Sequence, residues 1–141
     1  MEKKQMLISI VGTQKRGNET DKIELTTTGD FYKKNGKYYL KYNESIATGF
    51  EGSTTILKFD NNDSVLMMRK GTVKSHIIIE KGKRNLCLYD TGYGEISIGI
   101  YGNKINYGLS DKGGFVNFSY TMDINTDFDC ENEIQINISP C

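Results

Sequence analysis

In the last third of the chain Val116, Phe118, Tyr120, Met122 and Ile124 fall on every second position, and Ile96, Ile98 and Ile100 do the same further upstream. A period of two places such side chains on one face of a strand, whereas a helix would scatter them around its axis. The alternation recurs from end to end, and no window of helical length carries an apolar stripe at three-to-four spacing. The sequence therefore predicts an all-β protein, with strands over 6–14, 22–32, 37–45, 53–59, 64–70, 76–80, 85–90, 96–101, 104–109, 116–124 and 134–138.

Turn chemistry separates these runs. Asn35-Gly36 is the favoured pair for a two-residue hairpin, because both residues tolerate positive φ. Asp60-Asn61-Asn62-Asp63, Lys81-Gly82-Lys83-Arg84 and Asp111-Lys112-Gly113-Gly114 read as further turns, and Gly102-Asn103 is expected to reverse the chain between two short strands. About ten short strands at regular spacing describe a sandwich or an up-and-down barrel. A meander of hairpins leaves two exposed edges unless it closes on itself, which favours the barrel. Gly99, inside a strand, suits a bend or the close approach of another backbone. At 141 residues the chain fits one domain, residues 1–141, large enough to need no metal or disulfide staple.

The net charge is zero, yet residues 1–84 carry 16 basic and 10 acidic side chains and residues 85–141 carry 2 and 8. Antiparallel pairing of the two halves is expected to cancel most of this asymmetry. The N-terminal MEKKQMLISIVG has a short apolar run without a small-residue cleavage site, so neither a signal peptide nor a membrane span is expected. Three widely spaced cysteines, Cys87, Cys130 and Cys141, then read as reduced thiols of a cytoplasmic protein.

Several motifs invite chemistry and fail on their context. Thr91-Gly92-Tyr93-Gly94 has the glycines of a phosphate loop, but a strand follows where that loop needs a helix N-terminus, and no membrane helices flank it as a potassium filter requires. It is expected to be a structural bend. Asp123, Asn125 and Asp127 match the opening ligands of a calcium loop, whereas Phe128 and Ile134 stand where glycine and glutamate belong. His76 is the sole histidine, and the cysteines lack zinc spacing. A nucleophilic pair of His76 with Cys87 or Cys130 competes with the plainer reading of buried thiols. No catalytic residues, metal or cofactor are assigned.

Two patterns carry more. Lys33, Lys34, Lys37 and Lys41 interleave with Tyr32, Tyr38, Tyr39 and Tyr42, the composition of a single-strand nucleic-acid platform and equally of a hairpin with a wet outer face. Glu44, Arg69, Tyr89 and Tyr93 are polar groups within or beside strongly apolar strands. If they point inward they must pair, because an unpaired buried charge is costly. Glu44 with Arg69 is the expected pair, either plugging the barrel or orienting a polar head group at its mouth.

Tyr42-X-Glu44-Ser45, Gly49-X-X-Gly52-X-Thr54-Thr55-Ile56-X-Lys58, Arg69-X-Gly71, Tyr89-X-Thr91-X-Tyr93-Gly94 and Gly114 followed by Tyr120 resemble, in this order, the YwiB-like family of small bacterial proteins, which carry a domain of unknown function. The resemblance covers nearly the whole chain and implies a calycin-like β-barrel related in shape to lipocalins. It implies no established activity and no catalytic or binding residues. The expectation is a cytoplasmic binding module holding a small, partly apolar ligand inside the barrel, with Glu44, Arg69, Tyr89 and Tyr93 as polar contacts. The alternative is a protein- or RNA-interaction domain using the outer lysine and tyrosine hairpin around Tyr32 to Tyr42, and an enzyme ranks third.

Overall fold

The computed structural model describes residues 3–44, 51–61, 63–71, 74–90, 94–124 and 127–141, with backbone alone at 61 and 127–129. The strands are β1 (Lys4–Arg16), β2 (Glu19–Lys34), β3 (Lys37–Asn43), β4 (Thr54–Asn61), β5 (Ser64–Lys70), β6 (Lys74–Glu80), β7 (Arg84–Asp90), β8 (Glu95–Ser110), β9 (Gly113–Ile124) and β10 (Asp127–Pro140). Each pairs antiparallel with its sequence neighbour, and β1 pairs with β10 from Met6↔Pro140 to Lys15↔Glu131, which closes the barrel and leaves no free edge. That seam lays the basic end of the chain against the acidic one, as Lys15 opposite Glu131 illustrates.

Alternation decides what faces in. On β3 it is Tyr38, Leu40 and Tyr42, and on β9 Val116, Phe118 and Tyr120. Asn35 (φ 53°) and Gly36 (φ 79°) form the two-residue hairpin that the sequence predicts between β2 and β3.

Gly102-Asn103 does not reverse the chain. β8 runs unbroken from Glu95 to Ser110, with a bulge between Gly102 and Lys104. The extra residue shifts the inward set from Ile96, Ile98 and Ile100 to Ile105, Tyr107 and Leu109. The sequence pattern on either side of the bulge is thus out of phase, which is why it reads as two strands. The cause is the β6–β7 connection: Gly82 N donates to Gly102 O at 2.9 Å, Gly102 N to Lys83 O at 3.2 Å, and a Cβ on Gly102 would run into the Glu80 carbonyl. β10 also begins earlier than Ile134, because β1 is long enough to pair with it back to Glu131.

Gly99 serves a side chain rather than a bend. The Arg84 guanidinium lies over its bare face and reaches across β8 to Asp123 on β9, with Nε to Oδ2 at 3.0 Å and Nη2 to Oδ1 at 2.7 Å. This bidentate pair sits on the outer wall and ties three strands together.

The interior has two halves. Towards the β2–β3 and β8–β9 hairpins it is filled by Ile8, Leu40, Leu57, Phe59, Ile79, Ile136 and their neighbours, all almost fully buried. Towards the β1–β2 hairpin the described residues leave it hollow.

Candidate functional site

Strand register builds a polar row into the wall of the barrel. Tyr42 on β3 stands opposite Thr55 on β4, Thr55 opposite Arg69 on β5, Arg69 opposite Ser75 on β6, and Ser75 opposite Tyr89 on β7. All five occupy inward positions, so one hydrogen-bonded row of the wall carries a continuous polar band. Glu44 continues the inner face of β3 one pleat further, and its N donates to Ser53 O at 2.9 Å.

A chain of donors runs along this band. Arg69 Nε donates to Thr55 Oγ1 at 3.1 Å, Thr55 donates onward to the Tyr42 phenol, and Tyr42 donates to the Glu44 carboxylate. The sequence expectation of a Glu44–Arg69 pair is not met by a direct contact. Among the described residues no direct ion pair joins them, and two hydroxyls carry the link. Burial, then the Glu44 carboxylate, raises the Tyr42 phenol well above its ordinary range, while Arg69 acts in the opposite sense. On the facing wall burial pushes Tyr120 up to about 12, again moderated by Arg69, with Cys130 and Tyr89 adding to the rise.

Two atoms near this band have no hydrogen-bond partner: Glu44 Oε1 and Ser75 Oγ. Each residue is only 8% exposed. Buried polar atoms are rarely left in this state.

Beside the band lies a cavity of about 750 Å³, within the range of small-molecule sites, which Arg69 and Tyr89 line and Tyr42, Glu44, Thr55 and Ser75 do not. Met67, Ile77, Ile98, Met122 and Ile134 form its apolar wall, and Arg69, Tyr89 and Tyr120 supply polar groups. Ile23, Ile96 and Ile124 line it while remaining roughly 40% exposed, 40%, 40% and 37% respectively, so the opening has an apolar rim. On the β1–β10 side Gln14 Nε2 donates to Asn132 Oδ1 at 3.3 Å, and Asn132 Nδ2 meets Cys130 Sγ at 3.6 Å. A more open hollow of about 470 Å³ around His76 and Leu88 is flanked by Lys70, Lys74, Asp90 and Glu95, and Arg69 and Ser75 border it as well.

Of the sequence-predicted contacts, Arg69 and Tyr89 line the cavity and Glu44 ends the donor chain. Tyr93 lies outside the described residues, as does most of the Thr91-to-Gly94 bend. Tyr42, Thr55, Ser75 and Tyr120 were not singled out by sequence for this site. Thr55 and Ser75 look like ordinary strand residues, and their role emerges only from pairing register.

The other motifs resolve as follows. His76 is exposed on the outer face and Cys87 points inward, so the wall of the barrel separates them. Cys87 instead accepts the Ile78 amide at 3.5 Å where β6 and β7 diverge, and burial raises its thiol. Asp123 is engaged by Arg84, and residues 125–129 of the calcium-like run lie outside the described side chains. In the lysine and tyrosine hairpin, Tyr38 and Tyr42 face inward. The outer pair, Tyr32 and Tyr39, stack on each other at 5.1 Å, with Lys3 over one ring and Lys58 over the other.

A closed ten-stranded meander, packed in one half and hollow in the other, defines a small cavity-bearing β-barrel protein. The chain belongs to the family described as Domain of unknown function (DUF1934), whose model matches residues 8–136. It is 32% identical over 108 residues to the "Uncharacterized beta-barrel protein YwiB" of Bacillus subtilis (strain 168), covering 77% of this chain and 73% of the relative. The crystal structure of the ywiB protein from Bacillus subtilis superposes with a TM-score of 0.87 at 23% identity, covering 99% of this chain and 93% of that one, a likeness of fold. No helix among the described residues is long and apolar enough to cross a membrane.

Proposed function

We propose that this chain binds a small, partly apolar molecule in the open half of its barrel. The observation that supports the reading is the cavity of about 750 Å³, whose lining is largely apolar and includes Arg69 and Tyr89. An apolar enclosure with a few convergent polar groups is the general form of a ligand site. Glu44, Arg69, Tyr89 and Tyr93 are the proposed polar contacts, and a cytoplasmic location fits the unpaired thiols of Cys87, Cys130 and Cys141. The interaction-domain reading has less support, because the faces of Tyr32 and Tyr39 are already occupied by each other and by lysines.

Native mass spectrometry of the protein purified from its own cells, followed by denaturation, tests the proposal. A stoichiometric small molecule, released on unfolding and lost in Arg69→Ala, is the expected result. A clean apo mass, together with no uptake of a neutral apolar dye, would count against it.

A further inference from the structure

We propose that this chain pairs with a second copy of itself through the outer wall of β5, β6 and β7, about a two-fold axis that runs along the seam between β6 and β7. The pairing concerns the outside of the barrel and does not depend on the cavity reading.

Three neighbouring strands are apolar on both faces. Val65-Leu66-Met67-Met68 on β5, Ile77-Ile78-Ile79 on β6 and Leu86-Cys87-Leu88 on β7 run without the alternation that a strand with one wet face shows. Val65, Met67, Ile77, Ile79 and Cys87 point inward and are buried. The outward set is surplus to the core: Leu86 is 69% exposed, Leu88 57% and Ile78 38%, with Leu66 and Met68 half-buried beside them. Register makes these side chains neighbours. Ile56, Met68, His76 and Leu88 stand in one row across β4 to β7, and Leu66 stands opposite Ile78 in the next. On β10, across the barrel, the outward positions are Gln135, Asn137 and Ser139. A contiguous apolar patch confined to one wall marks a surface that another protein covers.

The charges at the end of the patch identify that protein as a second copy. Lys70 on β5, Lys74 on β6, Asp90 on β7 and Glu95 on β8 flank the hollow around His76 and Leu88. Lys74 stands opposite Asp90, and Asp90 opposite Glu95. Both basic residues therefore lie on one side of the β6–β7 seam and both acidic ones on the other. A two-fold axis in the plane of contact and parallel to that seam keeps each position along the strands and exchanges the two sides. It sets Lys70 and Lys74 of each copy against Asp90 and Glu95 of the other, and Leu88 of each over His76 of the other. A foreign partner would need to carry this pattern in reverse, whereas a second copy carries it by symmetry.

Sedimentation velocity of the full chain, from about 1 μM to about 1 mM, spans the range in which a weak specific dimer dissociates. A reversible monomer–dimer equilibrium is the expected result. Leu88→Glu and, separately, Leu86→Glu should each raise the dimer Kd at least about ten-fold with the far-ultraviolet circular dichroism unchanged, since both side chains are exposed. Monomer throughout the range would overturn the proposal, and so would a dimer of unaltered affinity in both variants, because its interface would lie elsewhere. The charge pattern has its own readout. Lys70→Glu/Lys74→Glu and Asp90→Lys/Glu95→Lys should each remain monomeric alone and form a one-to-one dimer when mixed at low salt. Failure to pair on mixing, with the wild type dimeric, would overturn the two-fold arrangement. If either charge variant does not fold, the two leucine variants decide.

Discussion

Ile134 and Ile136 are the same residue on the same strand, both inward, and they sit on opposite sides of the boundary between the hollow and packed halves. Ile136 is 1% exposed within the core, whereas Ile134 is partly buried and lines the cavity. Truncation to alanine removes three carbons at either site, a transfer loss of about 0.8 kcal/mol per carbon when fully buried. At Ile136 the close-packed surroundings relax only partly, so a cavity term adds and the total is expected near 4 kcal/mol. At Ile134 the space beside the side chain is already empty, no new void is created, and partial exposure reduces the transfer loss to about 1 kcal/mol. Urea unfolding measures both, with the midpoint falling much further for Ile136→Ala and the slope unchanged. Equal losses at the two sites would refute the reasoning, because they would mean that the upper half of the barrel is packed as tightly as the lower.

Further outcomes follow from the same structure. Gly99→Ala should displace the Arg84 guanidinium and lower the melting temperature, yet have little further effect in an Arg84→Ala background; calorimetry on the four variants of that cycle checks the coupling. The phenol of Tyr120 ionises only near 12 in the folded protein and near 10 when unfolded, so its contribution to stability is complete below pH 10 and is lost as pH rises towards 12. Tyr120→Phe should flatten that alkaline decline in pH-dependent denaturation, and an unchanged slope would assign the decline elsewhere. Alanine at Lys33, Lys34 and Lys37 should leave uptake of N-phenyl-1-naphthylamine in the cavity unchanged, measured by fluorescence titration. A loss of uptake there would move the binding surface to the hairpin.

How much of this was legible in the sequence varies with the range of the interaction concerned. Alternation and turn residues act locally, so Val116 to Ile124 and Asn35-Gly36 declare a strand and a hairpin without help from the rest of the chain. The bulge at Gly102 was misread as a turn because its cause, the backbone of Glu80 to Lys83, lies a strand away. Glu44 and Arg69 were conspicuous as charges in apolar surroundings, but their connection was not, since Thr55 and Tyr42 join them only after β3, β4 and β5 are set in register. The Arg84–Asp123 pair was hidden for the same reason: it needs Gly99 on the intervening strand to let the guanidinium pass.

Methyl NMR of the isoleucine-labelled protein, titrated with N-phenyl-1-naphthylamine, tests the central claim most directly, because isoleucines lie in both halves of the barrel and on its outer wall. The account expects the methyls of Ile77, Ile98 and Ile134, which line the cavity, to shift, while those of Ile8, Ile79 and Ile136 in the packed half stay in place. Shifts confined to Ile78 on the outer face, or no shifts at saturating dye, would contradict it.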